Sequence, residues 1–210
     1  MIGNRQLRIG LSGKAKTGKN TVADLIVTHL DLNRDEYRIR AFADPMKEIM
    51  KIMFPGADNE CLYGASELRE KVISNKFLNR DFHRKPLTYR SGLTDIGKYA
   101  REYNENIWIY NLDYDLNNWV PNIDRTSSSR YKSAYIVSDC RFINEFNYLR
   151  EQGFYLIRIL RKGTNSGVDV SEVEQEQIPN ESFDKVIHND YSIDVLSEEV
   201  RQIINELCIK

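Results

Sequence analysis

The 210-residue chain sets 30 Lys and Arg against 31 Asp and Glu for a formal charge of -1, a length that holds one domain or two and a balance that argues against a dedicated nucleic-acid binder while leaving room for a local basic groove. Three scattered cysteines, Cys61, Cys140 and Cys208, fit a reducing compartment and show no metal-ligand cluster. The first residues lack an apolar signal core, and no uninterrupted apolar stretch approaches the roughly 20 residues of a bilayer span, so the expectation is a cytoplasmic protein without a membrane or nucleic-acid partner.

Residues 7–12 read as a short strand, and 19–30 as an amphipathic helix. Between them stands Gly13-Lys14-Ala15-Lys16-Thr17-Gly18-Lys19, a GxxxxGK spacing in the strand–loop–helix context that makes it specific. Glycines at 13 and 18 let the backbone turn tightly and aim N–H groups at phosphate oxygens, and the helix start adds its positive dipole end. Lys19 then reaches the outer phosphates of a nucleoside triphosphate. The hydroxyl that ordinarily follows the lysine and holds Mg²⁺ is absent: Asn20 stands there, followed by Thr21. Either the Asn20 amide oxygen or the Thr21 hydroxyl is available for the metal. A glycine-rich turn that merely caps a helix would leave the lysine and its flanking elements unexplained.

Strands and helices then alternate, the pattern of a parallel sheet covered on both faces. A second strand reads at 37–43, and Pro45 opens a helix running through 47–53. Residues 57–88 are the least legible, with a helix over about 65–78. Between 69 and 90 there are seven Lys or Arg against Glu70 and Asp81, which reads either as a solvated surface or as a patch that gathers a phosphorylated substrate. Helices follow at 90–104 and 106–118, an exposed loop at 121–133, a strand at 133–138 ending in Asp139, and a helix at 142–152 closed by Gly153. A strand at 155–160 leads into a mobile-looking excursion at 162–183, with six acidic residues and no basic ones between 169 and 184. An edge strand at 185–189 and a helix at 194–208 complete the chain. The apolar face of that last helix can pack internally or in a homodimer.

Doubly wound folds bind ligands beyond the carboxyl ends of their strands. Four candidate clusters fall there: the 13–21 loop, Asp44, Asp139 with Arg141, and Arg161. Asp139 can orient Mg²⁺ or its waters, or cap a helix; Arg141 can grip phosphate through its rigid fork. Asp44 can position the incoming oxygen or cap the helix that Pro45 opens. Arg158 and Arg161 point to opposite sides of an ideal strand, and Arg161, at its end, is the better candidate for the site. Arg90 and Arg101 lie on helical segments where an acceptor pocket can form, or on an exposed surface.

These pieces together resemble the phage-type deoxynucleoside monophosphate kinases, a branch of the P-loop kinases. The resemblance rests on Ile9 to Lys14, Gly18 to Asp24, Phe42 to Lys47, the Gly97, Arg101 and Asn106 to Trp108 region, Ser138 to Glu145, Ser171 to Glu174 and Asp184 to Asn189. The family commonly carries Gly-Lys-Asp-Thr where this chain has Gly18-Lys19-Asn20-Thr21, so a residue without a hydroxyl before the threonine is part of the pattern. The resemblance implies a three-layer P-loop kinase fold with a five-stranded parallel sheet in the order 2-3-1-4-5, helices on both faces, and one domain over 1–210. It implies an acceptor-binding helical region at 57–120 and a lid at 162–183.

The implied reaction is Mg²⁺-dependent transfer of the ATP γ-phosphoryl group to a deoxynucleoside 5′-monophosphate. Residues 13–21 (Gly13, Lys14, Ala15, Lys16, Thr17, Gly18, Lys19, Asn20, Thr21) would hold the ATP phosphates. Lys19, Arg141, Asp139, Arg161 and Asp44 would serve catalysis, and Asn20, Thr21 and Asp139 the metal. Asp44, Arg90, Gly97, Arg101, Trp108 and Arg141 would bind or support the acceptor. Two departures stand out. Asn20 removes a charge close to the metal, and Cys140 replaces a small apolar residue and is expected to be buried and structural. A kinase of dephospho-coenzyme A or phosphomevalonate, and a non-catalytic nucleotide-binding switch, are the rival readings; an encoding phage would place the protein in host cytoplasm.

Overall fold

The computed structural model describes residues 5–73, 86–123, 131–164 and 170–209. The chain divides into two compact units, one formed by Met1–Phe42 with Leu112–Lys210 and the other by Ala43–Asn111. The first unit is built on five parallel strands: β1 (Arg5–Ser12), β2 (Tyr37–Arg40), β3 (Tyr131–Cys140), β4 (Tyr155–Leu160) and β5 (Lys185–His188), in the order β2-β3-β1-β4-β5. This is the sheet order expected from the sequence.

Alternation along the central strands explains the layers. Leu7, Ile9 and Leu11 of β1 and Ala134 and Ile136 of β3 join Val22, Ile26 and Leu30 of α1 (Lys19–Leu30) in one apolar cluster. Val200, Ile203, Ile204 and Leu207 of α8 (Ile193–Ile209) complete it, so the apolar face of this last helix is spent inside the unit. On the opposite face, Arg8 of β1 donates to the Gln152 carbonyl at 3.0 Å, at the end of α6 (Ile143–Glu151). Burial of the inward residues on both faces supplies the main stabilisation, about 1.5–3 kcal/mol for each fully buried aliphatic or aromatic side chain.

Three stretches differ from the sequence expectations. The strand expected at 37–43 stops at Arg40, because the Phe42 N–H donates to the Asp139 carboxylate at 2.6 Å rather than to a ladder partner. The helix expected over 65–78 is instead a short α3 (Asn59–Tyr63) and a 3₁₀ turn at Ser66–Glu70, followed by a bridge between Val72 and Thr88; residues 74–78 lie outside the described ones, as do Lys76, Arg80, Arg84 and Lys85 of the basic run. Within the 162–183 excursion a helix, α7, forms over Val170–Gln177, with residues 165–169 outside the described ones. Most of the loop expected at 121–133 also lies outside them.

In the second unit, α2 (Asp44–Met53) packs against α4 (Tyr89–Tyr103) through Met50, which shares a buried cluster with Cys61, Leu62, Ile73 and Tyr89. The last helix of that region, α5 (Ile107–Asn118), carries Asp115 at its C-terminal part, which belongs to the first unit. Among the described residues no helix is long and apolar enough to cross a membrane.

Asp115 ties α5 to the sheet. Its carboxylate accepts from Arg38 at 2.6 Å, Arg40 at 2.8 and 3.1 Å and the Tyr135 hydroxyl at 2.6 Å. Burial works to raise the Asp115 pKa, but the Arg40 and Tyr135 bonds and the two arginine charges outweigh it and hold the carboxyl below its usual range. Burial and the Asp115 acceptor push the Tyr135 phenol up. Asp115→Ala leaves two guanidinium groups and a phenol short of a partner, and should cost about 2 kcal/mol, since Arg40 can still turn to water. Because the folded pKa is lowered, the carboxylate's contribution is complete above the unfolded aspartate value and is lost as pH falls through the folded one. Urea melts of both proteins should therefore converge at acid pH; a gap that persists unchanged there would contradict this assignment.

Candidate active site

The 13–18 loop leaves β1 at Ser12 and enters α1 at Lys19, and its backbone conformation requires glycine at both ends. Gly13 has φ +154, and a Cβ there would stand 2.4 Å from the Ile159 carbonyl oxygen and 2.7 Å from Thr17 Oγ1. Gly18, the N-cap of α1, has φ +97, with Asn189 Nδ2 2.5 Å from the position of a Cβ. Lys16 between them also has positive φ, 65°, a conformation that non-glycine residues seldom hold. Thr17, 1% exposed, closes the turn by donating its hydroxyl to the Lys14 carbonyl at 3.0 Å.

Lys19 lies folded into this ring. Its side chain is 9% exposed, and its ammonium donates to the Gly13 carbonyl at 2.7 Å and the Lys14 carbonyl at 2.8 Å. A compact cation thus sits within the curve of the loop on neutral acceptors, where anionic oxygens would be stronger partners. Asn20 and Thr21 follow on the first turn of α1, both exposed. From the far side, Asn189, just past β5, donates its amide to the Thr17 carbonyl at 2.8 Å. In the sequence Asn189 only ends the Asp184 to Asn189 segment and has no role assigned to it. Its signal, an asparagine at a strand end, is too common to be read without the tertiary contact.

The neighbouring strand ends carry the remaining first-unit candidates. Opposite Ser12 on β3 stands Cys140, and opposite Ser12 on β4 stands Arg158. Asp139 and Arg141 therefore flank the loop's base on one side, and Arg161, exposed just beyond β4, on the other. The N-cap of α6 is Phe142, and Glu145 closes that end by accepting the N–H groups of Arg141 at 2.9 Å and Phe142 at 3.2 Å. The capping alternative for the strand-end aspartate is thus filled by another carboxylate, while Asp139 holds Phe42. Cys140 is 1% exposed, and burial, with the Glu145 and Asp139 charges, pushes its thiol far up. It is a buried thiol rather than a nucleophile, as expected.

Arg158 has a structural place that strand alternation alone does not reveal. It is 6% exposed beneath α7, donating to the Gln175 carbonyl at 2.9 Å and to the Ile178 carbonyl. Its guanidinium also lies 5.1 Å from the Phe183 ring centre. Gln175, 1% exposed, donates to Ser12 Oγ at 3.0 Å and the Cys140 carbonyl at 3.1 Å, and its neighbour Glu176 pairs with Lys14 at 2.5 Å. The sequence shows only a glutamine in an acidic run, with nothing to mark it as buried.

The other candidates belong to the second unit. Asp44 is in the first turn of α2, whose N-cap is Ala43, and accepts from Lys47 at 2.7 Å. That Lys47 also sits 4.8 Å from the centre of the Tyr63 ring. Arg90 of α4 pairs with Glu70 and donates to the Ser66 carbonyl and hydroxyl, both at 3.0 Å. Gly97 is buried with the Met46 sulfur 3.1 Å, and an Arg101 guanidinium nitrogen 3.4 Å, from the position of a Cβ. Trp108 is 2% exposed, and its indole N–H is buried without a hydrogen-bond partner among the described residues.

Asn20, Thr21 and Asp139 offer oxygen donors only, the chemistry that suits a hard divalent cation completed by phosphate oxygens and water. Among the described residues there is no group of three or more His, Cys, Asp or Glu placed to hold a metal by themselves, and a Mg²⁺ ion shared with phosphates does not need one.

No family model matches the chain. A solved, unliganded sugar kinase from Janibacter sp. is 12% identical with a TM-score of 0.42, covering 96% of this chain and 95% of that one, a likeness too shallow to bear on function. A protein of Acanthamoeba polyphaga mimivirus named "Putative deoxynucleotide monophosphate kinase" is 30% identical over 195 residues, 91% of this chain and 93% of that protein. With that identity over nearly the whole of both sequences, the chain belongs to the deoxynucleotide monophosphate kinase family.

Proposed function

We propose that the protein transfers the γ-phosphoryl group of ATP to a deoxynucleoside 5′-monophosphate, giving ADP and the deoxynucleoside diphosphate. The observation that carries this reading is Lys19, whose ammonium lies inside the 13–18 loop on two carbonyl oxygens, at the common end of β1 and β3. The relative's name supports the acceptor class.

In this reaction a phosphate oxygen of the monophosphate attacks the γ-phosphorus in line as the bond to the β–γ bridging oxygen breaks, and ADP leaves. The acceptor oxygen is already anionic near neutral pH, so no strong general base is needed, and Asp44 orients rather than deprotonates. Catalysis is then positioning and charge neutralisation. The backbone N–H groups of residues 13–18 and the start of α1 receive the ATP phosphates. Lys19 exchanges its carbonyl partners for phosphate oxygens, and Arg141 and Arg161 bind the charge that builds on the transferring group. Asp139 with Asn20 or Thr21 would hold Mg²⁺, which would add to the neutralisation of the phosphate oxygens. Arg90, Gly97, Arg101 and Trp108 are the candidates for binding or supporting the monophosphate.

Purified protein with ATP and Mg²⁺ should form ADP on addition of a deoxynucleoside monophosphate, and not with dephospho-coenzyme A, phosphomevalonate or no acceptor. ADP formed only with one of the other acceptors would replace this reading by a different kinase activity, and nucleotide binding without acceptor-stimulated turnover by a switch. Asn189→Ala removes the amide that holds Thr17, and should raise the KM for ATP about fivefold with little change in that for the monophosphate, the worth of one neutral hydrogen bond. An equal rise in both would separate Asn189 from the triphosphate site.

A further inference from the structure

The ladder between β1 and β3 is irregular where the candidate catalytic groups emerge. Gly10 pairs with Val137, but Ser12 pairs with Cys140, so Ser138 and Asp139 together stand opposite Leu11. An extra residue of this kind bends the strand and leaves ladder groups without their regular partners. Here it falls between the strand that delivers the 13–18 loop and the one that delivers Asp139 and Arg141. The ladder resumes at the Ser12–Cys140 pair, the single pair beyond the irregularity, where a further connection would reinforce it.

Gln175 supplies one. It comes from α7, remote in sequence from both strands, and is 1% exposed. Its amide nitrogen gives one hydrogen to Ser12 Oγ on β1, at 3.0 Å, and the other to the Cys140 carbonyl on β3, at 3.1 Å. The orientation of the amide is fixed by chemistry, because its oxygen turned toward the Cys140 carbonyl would set two acceptors together. The helix that carries it is itself tied down: buried Arg158 donates to the carbonyls of Gln175 and Ile178.

We infer that Gln175 is a positioning residue that staples the bulged junction of β1 and β3 and so fixes the phosphate-binding loop relative to Asp139 and Arg141. It touches no reacting atom; it acts through Ser12 and the Cys140 backbone. The two amide hydrogens satisfy both acceptors at once. Leucine preserves bulk and loses both bonds, and glutamate puts an acceptor beside the carbonyl. The kinetic consequence rests on the phosphoryl transfer proposed above.

Gln175→Leu should lower kcat by about 10- to 100-fold with the KM for ATP changed less than about threefold, because a misplacement of the order of 1 Å damages alignment more than binding. Ser12→Ala, which removes one acceptor in a small buried change, should lower kcat about fivefold. Adding Gln175→Leu to Ser12→Ala should then cost less than Gln175→Leu costs alone. Amide hydrogen exchange at residues 11–13 and 139–141 of the unliganded protein should quicken about tenfold in Gln175→Leu while that of Ile26 is unchanged. A variant that melts earlier but keeps kcat per folded molecule within twofold of the parent would reduce Gln175 to a packing residue and overturn the inference. So would strictly additive effects of the two substitutions. If Gln175→Leu does not fold, Ser12→Ala decides alone, and unchanged kcat together with unchanged exchange at both strand ends overturns the staple. The exchange measurement needs no acceptor, so a protein that phosphorylates none of those offered would sink the proposed function and leave this test standing.

Discussion

Lys19→Ala should reduce kcat for phosphoryl transfer about 1,000-fold while changing the dissociation constant of the deoxynucleoside monophosphate less than about threefold. The size follows from the charge it faces. A preorganised donor aimed at oxygens that gain negative charge in the transition state is worth roughly 10²–10³ in rate, and an ammonium at the head of a helix sits at the upper end. The selectivity follows from position. Lys19 Nζ bonds to the Gly13 and Lys14 carbonyls, so its reach lies within the loop proposed for the triphosphate. Because those two bonds also brace the loop, Lys19→Arg is the informative companion. It keeps the charge, but its planar fork cannot take the place of a compact ammonium on two converging carbonyls, and it should recover less than a tenth of the lost rate. Steady-state kinetics with titration calorimetry of the monophosphate separates the two effects. Equal losses in turnover and monophosphate binding would remove Lys19 from the triphosphate side of the reaction.

What the sequence made legible was the part of the fold governed by local periodicity. The helix read at 19–30 and the strand read at 155–160 have the bounds the structure gives them, with Gly18 marking the helix start and Gly153 lying just before the strand. Alternation of strands and helices gave the parallel sheet, while its order came from the family resemblance and is the order found. The stretch after α2 was opaque for the converse reason. Five-residue α3 has too few turns to show a period, and it is held by burying Cys61 and Leu62 against Met50 and Tyr89, with Arg69 donating to the Leu62 carbonyl. β2 was read too long because nothing local says that the Phe42 N–H goes to a carboxylate far along the chain.

The site divides in the same way. The 13–21 loop is a contiguous motif, and Asp139 with Arg141 follows an apolar strand, so the sequence itself places both at the carboxyl ends of strands. The groups that hold those places could not. Gln175, Asn189 and Arg158 are polar residues in unremarkable surroundings, and each gains its meaning from a main-chain carbonyl supplied by a distant segment. Arg158 shows the limit of strand alternation most clearly. Alternation along β4 does not say that α7 covers the face on which Arg158 lies.

Gly13→Ala should abolish measurable ATP binding, raising the dissociation constant by at least about 30-fold, in a protein that still folds. The obstacle is specific. A methyl group at Gly13 would stand 2.4 Å from the Ile159 carbonyl oxygen, which belongs to β4 and is held in the sheet, and 2.7 Å from Thr17 Oγ1, whose hydroxyl closes the turn. Neither is the loose end of a flexible side chain, so the loop rather than its neighbour must move, and φ +154 adds strain for any residue with a Cβ. A displaced loop loses the converging N–H groups on which phosphate recognition depends. Gly153→Ala is the matched control: it has φ +73 but nothing within 4 Å of the added carbon. It should therefore show the backbone cost alone, about 1 kcal/mol of stability, with ATP affinity intact. Thermal melts and equilibrium binding of ATP on both variants distinguish steric disruption of the loop from a general glycine penalty. If Gly13→Ala binds ATP as the parent does, the 13–18 loop cannot hold phosphate in the conformation found here, and the proposed donor site falls with it.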